Sequence, residues 1–162
     1  MKRIENAVVK TGVLIQKRGK LLLIKEKGWA NKKYLWNIVK GTFDPQKDKD
    51  IFETAKREAW EEAGATIRVR DILNILFLKK RPGVFIQFNF VADLVGSRVA
   101  IANRNMQRKY REDITELRFF TKEELRRMRR NKFIGERTYQ SVRAWLRGER
   151  HSKSLLPKLN TY

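Results

Sequence analysis

Glu58, Glu61 and Glu62 recur at spacings of three and four residues within Arg57-Glu58-Ala59-Trp60-Glu61-Glu62-Ala63-Gly64. On a helix that spacing projects all three carboxylates from one side. Hard divalent cations such as Mg²⁺ and Mn²⁺ prefer carboxylate oxygens, and Mg²⁺ commonly binds substrate phosphates at the same time. Such an ion neutralises diphosphate charge and lowers the pKa of a bound water, while a neighbouring carboxylate takes the proton. Glutamates at these spacings are also common on solvated helices, so the surroundings have to decide between the two readings.

The elements that would position these carboxylates can be read on either side of them. Asp50 is an N-cap candidate with Glu53 three residues later in a capping-box-like pattern, and Gly64 is a C′ candidate, so the spacing predicts a helix from about Ile51 to Ala63. Phe52, Ala55, Ala59 and Ala63 form an adjoining stripe of mostly small residues that lets this helix sit close to a sheet. Upstream, Ala7 to Gln16 and Leu21 to Lys25 read as strands joined by a turn at Lys17-Arg18-Gly19-Lys20. Downstream, Ile67 to Val69, Ile72 to Leu78 and Val84 to Leu94 read as extended, with a turn at Lys79-Lys80-Arg81-Pro82-Gly83. Val99 to Ala102 fits a short strand and Leu117 to Phe120 another extended piece. Thr121 and Glu124 form a capping box, and a last helix is expected from about Glu136 to Leu146, ending at Gly148. Strands first, one central helix and helices at the end predict an α/β (α+β) fold with a mixed sheet between helices.

At 162 residues with 41% apolar side chains, and with no repeat or low-complexity linker, the chain is expected to form one domain over residues 1–148 followed by a tail at 149–162. Cysteine is absent, which excludes disulfides, thiolate metal sites and a cysteine nucleophile. The longest apolar run near the N-terminus, Leu21-Leu22-Leu23-Ile24, is too short for a signal-peptide core or a membrane span, and a soluble, cytoplasmic protein is expected. The charge is +20, from 38 Lys plus Arg against 18 Asp plus Glu. That field attracts polyanions, and it makes a cluster of carboxylates costly to hold unless a cation compensates.

Gly41 followed by Arg57-Glu58-x-x-Glu61-Glu62-x-Gly64 resembles the signature of the Nudix hydrolases, Gly-x5-Glu-x7-Arg-Glu-U-x-Glu-Glu-x-Gly-U. Thr11-Gly12-Val13-Leu14-Ile15, Gly19 to Ile24, Phe88 to Ala92 and Glu116 to Leu125 resemble that family's strands and closing helix start, so the likeness covers about residues 7 to 128. It implies an α/β/α sandwich and hydrolysis, with Mg²⁺ or Mn²⁺, of a nucleoside diphosphate linked to another group. Glu58, Glu61 and Glu62 would be its metal-binding carboxylates and Arg57 would hold the preceding loop by an ion pair. A further acid from a late loop is implied too, with Glu112, Asp113 and Glu116 as candidates and Glu112 preferred.

The likeness is incomplete in the first half of the signature. Lys47 stands where the family has its first glutamate, and the spacing from Gly41 to Arg57 is two residues too long. Asp48, Asp50 and Glu53 are the candidates to replace the missing partner of Arg57, and Glu53 is a reasonable one because Glu four residues before Arg is the better orientation on a helix. Lys40, Gly41, Trp29 and Tyr34 are the candidates for contacting a nucleotide-like substrate, while Trp36 is read as packing. Two further functions stay open. The basic runs Lys79-Lys80-Arg81, Arg104 to Arg111 and Arg126 to Lys132 fit a nucleic-acid-binding protein with little hydrolysis, or a pyrophosphohydrolase acting on the 5′ end of an RNA. His151, in the tail, is read as an exposed residue and not a catalytic base.

Overall fold

Alternating apolar residues near the N-terminus build the first strands of a seven-stranded mixed sheet. In a computed structural model, residues 6–28, 32–80, 83–110 and 112–157 are described. β1 (Ala7–Lys17) and β2 (Lys20–Lys27) form the expected hairpin, followed by β3 (Tyr34–Asn37), β4 (Val39–Thr42) and α1 (Ile51–Ala63). After α1 come β5 (Ile67–Lys80), β6 (Gly83–Leu94), α2 (Arg104–Tyr110), β7 (Ile114–Phe120), α3 (Lys122–Arg127) and α4 (Glu136–Arg147). The main strand order is β3-β2-β1-β6-β5, with β4 paired to β1 and β7 paired to β2.

β1 runs parallel to β6 along Ala7 to Gln16, but its other edge is divided. β4 borders it from Lys10 to Val13, and β2 meets it at Gln16 and Lys17. The sheet forks there, and the fork brings Gly41 of β4 opposite Thr11 of β1, at the mouth of the cleft described below.

Two apolar layers follow from the alternation of side chains along the strands. On one face Val13, Ile15, Val39, Phe90 and Ala92 pack against Ala55, Ala59 and Ala63 of α1. The alanines let the helix approach the sheet closely, and Phe52 adds a ring contact to Phe90 at 5.1 Å. On the other face Leu14, Leu21, Leu23, Ile38 and Val91 pack against Leu125 of α3 and Val142 and Trp145 of α4. The result is the expected α/β/α sandwich.

Both ends of α1 are closed as their residue types dictate. The Asp50 carboxylate accepts from the backbone N–H of Phe52 and Glu53, and Gly64 adopts the left-handed conformation at φ 56° that glycine tolerates best. Thr121 and Glu124 form the expected capping box at the start of α3. Three expectations need correction. Ile67 to Leu78 is one strand with irregularities after Val69 and Ile72, since bulges keep β5 in register with β6. Val99 to Ala102 forms no strand, because the Ala100 N–H donates to the carbonyl of Ala63 and Val99 packs on the α1 core, so this segment closes the helix end and joins no sheet. Glu53 does not hold Arg57; it pairs with Lys56 at 2.8 Å on the exposed side of the helix. The turn expected around Arg81 and Pro82 lies partly outside the described residues.

Residues 149–157, which the sequence leaves without an element, lie against β5. The backbones of Ile72 and His151 exchange hydrogen bonds of 2.9 and 2.8 Å, Lys153 donates to the Val69 carbonyl, and Leu156 packs on the α1 core. No described helix is long and apolar enough to cross a membrane.

Candidate functional site

Glu58 and Glu62 lie one turn apart on α1 and are both buried, which is unusual for carboxylates and costly without compensation. Each is held by β4. The backbone N–H of Lys40 donates to Glu62 at 3.0 Å. Glu58 rests against Gly41 so closely that a Cβ there would sit 1.8 Å from the carboxylate carbon. The third member arrives from the corner between α2 and β7. There Gln107 accepts from the Ile114 N–H and donates to the Ala102 carbonyl, and its own carbonyl binds the N–H of Glu112. One oxygen each from Glu58, Glu62 and Glu112 then lie within 4.8 Å of one another.

The electrostatics of this trio are strained without a cation. Burial pushes Glu58 up to about 7, against the opposing pull of Arg57. Burial and then the nearby Glu58 and Glu61 raise Glu112 to about 7 as well. Burial holds Glu62 well above the ordinary carboxylate range. The buried Oε2 of Glu112 has no hydrogen-bond partner. Three convergent oxygen donors with one orphaned oxygen suit a hard divalent cation.

Arg57 organises the loop before the helix. Its guanidinium makes two parallel bonds to Asp48, at 2.8 and 2.9 Å, donates to the Thr42 carbonyl, and holds Glu58 and Glu61 at 2.7 and 2.9 Å. Asp48 is 5% exposed and also accepts from the Asp44 N–H and the Thr54 hydroxyl, while the Arg57 guanidinium keeps its pKa below the ordinary range. Of the three substitutes weighed for the missing glutamate, Asp48 is therefore the partner, because a bidentate pair in a half-closed loop outcompetes an exposed pairing along the helix. Lys47 is exposed at the edge of the loop and pairs with Asp44 at 3.2 Å.

A cleft of about 1260 Å³ opens over these groups. Glu58, Glu61, Glu62, Glu112, Arg57, Gly41 and Lys40 all line it. Glu61 faces the same space but lies outside the trio. Tyr34 is not part of the lining; its hydroxyl donates to Asp113, which is. Trp29 lies outside the described residues. Trp36 packs edge-on against Phe120 at 4.7 Å, as expected of a core ring. Of the other late acids, Glu116 pairs with Lys25 and takes no part in the trio. In the basic stretch that ends α3 and follows it, Arg127 and Arg130 are engaged by Glu123 and Glu136.

The NUDIX domain model matches residues 7–142, and the chain belongs to that family. A search of curated proteins gives no match. Among solved structures the fold is similar to a NUDIX hydrolase from Nitrosomonas europaea, with a TM-score of 0.76 at 17% identity, covering 97% of this chain and 100% of that one. It is also similar to a MutT protein from Methanosarcina mazei Go1, with a TM-score of 0.65 at 19% identity, covering 91% of this chain and 98% of that one. An ADP-ribose pyrophosphatase from Streptococcus suis 89-1591 has a TM-score of 0.63 at 20% identity, covering 90% of this chain and 96% of that one. At such identities these likenesses speak for the fold.

Proposed function

We propose that this chain is a metal-dependent pyrophosphohydrolase that cleaves the diphosphate of a nucleotide-like substrate. The observation that carries the reading is the convergence of Glu58, Glu62 and Glu112, with a buried oxygen of Glu112 left without a hydrogen-bond partner. Family membership and the likeness to the ADP-ribose pyrophosphatase from Streptococcus suis point the same way. Mg²⁺ or Mn²⁺ held by the trio would neutralise the diphosphate and lower the pKa of a water. Lys40 keeps Glu62 aimed through its backbone N–H, and Gly41 leaves room for Glu58. Arg57 binds one oxygen of Glu61, so that the other is left to accept a proton from water in the cleft. Arg57 acts here as a positioning residue that fixes Glu58, Glu61 and the loop through Asp48 together.

The test is a panel of nucleoside diphosphate derivatives, dinucleoside polyphosphates, nucleoside triphosphates and a 5′-triphosphorylated oligoribonucleotide, each with Mg²⁺ and with Mn²⁺. Metal-dependent turnover that disappears in Glu62→Gln and Glu58→Gln is expected. An absence of turnover on every member, in a protein that still melts cooperatively, would overturn the proposal. Activity on the oligoribonucleotide far above that on free nucleotides would assign the 5′ end of RNA as the substrate.

A further inference from the structure

The cleft that holds the carboxylates has a second, oppositely charged part. Lys10 of β1 and Arg137 of α4 are half-buried in its wall, and among the described residues no carboxylate pairs with either. The other half-buried cations of the cleft are engaged: Lys40 by Glu26 at 2.8 Å, and Arg57 by Asp48, Glu58 and Glu61.

Arg137 is held by groups that leave its charge unmatched. Its guanidinium carbon lies 4.3 Å from the centre of the Phe85 ring, and it donates to the side-chain carbonyl of Gln87 at 3.3 Å. Gln87 is 2% exposed, and its orientation is fixed because its amide donates to Asn89, which in turn donates to Asn74 and Ser141. Gly12 leaves room for this buried chain, since a Cβ there would meet Asn89 Oδ1 at 2.1 Å. Lys10 approaches the same Phe85 ring, at 6.0 Å. The neutral relay and the shared Phe85 ring thus set two like charges on one wall, and burial, then Lys40 and Arg137, lower the pKa of Lys10 against the weaker pull of Glu58 and Glu62. Half-buried cations without an ion-pair partner are unfavourable unless an anion completes them.

We infer that Lys10 and Arg137 form a binding site for a second phosphate group of the substrate, apart from the diphosphate held at the carboxylates. This rests on the hydrolase reading for its account of the rest of the substrate. Lys40 links the two parts, because its backbone N–H binds Glu62 while its side chain lies on the Lys10 face of β4. The substrate class is thus a diphosphate carrying a further phosphate, either as a longer polyphosphate chain or as a phosphomonoester on the sugar.

Binding of inorganic pyrophosphate, measured by calorimetry in EDTA, tests the site without metal or turnover. The wild type is expected to bind, and Lys10→Met and Arg137→Met to bind about tenfold more weakly or worse, the loss of one charge-assisted contact. The exposed control Arg104→Met should bind like the wild type. No binding by the wild type, or an equal loss in Arg104→Met, overturns the site. With Mg²⁺, ATP against ADP probes the chain source, and ADP-ribose 2′-phosphate against ADP-ribose probes the phosphomonoester. One of these preferences should collapse in Arg137→Met through KM with kcat retained; no preference in the wild type for either overturns the substrate class. Intact binding in EDTA with no turnover on any substrate would remove the hydrolase reading and leave the anion site standing.

Discussion

Gly41 and Glu58 touch at a distance that only a missing side chain allows: a Cβ on Gly41 would lie 1.8 Å from both the carboxylate carbon and Oε1 of Glu58. The glycine is required here for space, and β4 thereby forms a wall that sets where one carboxylate of the trio can stand.

Gly41→Ala should therefore displace Glu58 while the fold persists, because the intruding methyl meets the end of one side chain and not a packed core. Mg²⁺ affinity, followed by calorimetry, is expected to fall by about tenfold or more, corresponding to loss of one well-placed ligand. An unchanged affinity would mean that Glu58 is no ligand.

Asp48→Asn should loosen the loop before α1 and misplace Arg57. Asp48 is buried and its pair with Arg57 is bidentate, so breaking it is expected to cost about 3 kcal/mol. Lys47→Glu, which restores the family's glutamate by sequence count, is expected to change stability by no more than about 0.5 kcal/mol, since Lys47 is exposed and its pair with Asp44 lies at the surface. Denaturant unfolding of both variants checks the contrast, and a larger loss in Lys47→Glu would reverse the assignment of the loop partner.

The metal-free protein should lose stability as pH rises. Glu58 and Glu112 are raised to about 7 and Glu62 is raised as well, so the folded state binds protons that the unfolded chain has released above the ordinary glutamate value near 4.5. Their contribution is complete below that value and is lost as pH climbs through about 7. The carboxylates with lowered pKa, among them Asp48 and Asp44, act in the opposite sense but have finished titrating below the window. Between pH 5.5 and 8 the melting temperature in EDTA should fall by about 5 °C or more, and Mg²⁺ should remove most of that fall. A melting temperature independent of pH in EDTA would contradict the buried trio.

Removing residues 149–162 should destabilise the domain. The deletion exposes the Ile72 backbone and the core surface under Leu156. A loss of about 2–3 kcal/mol, or roughly 5–10 °C in Tm, is expected. Unchanged thermal unfolding would show that the segment merely rests on β5.

The sequence by itself determined the helix and the side from which its carboxylates project. The spacing of Glu58, Glu61 and Glu62, the cap at Asp50 and the stop at Gly64 are local features of one segment, and a local pattern survives in the chain order. Of the three late acids the sequence offers, Glu112 is the one that stands beside Glu58 and Glu62, and the reason, the corner built by Gln107, lies in hydrogen bonds between segments. Tertiary structure alone decided which carboxylates meet. Glu61 turns to Arg57 while Glu112, from the far side of β5 and β6 in the chain, joins Glu58 and Glu62. It also selected Asp48 over Glu53, because a loop folded back by Asp44 presents two oxygens to a guanidinium, a geometry that helical spacing cannot express. Lys10, Gln87 and Arg137 went unread for the same reason. They come from β1, β6 and α4, and only the parallel pairing of β1 with β6 beneath α4 brings them to one wall.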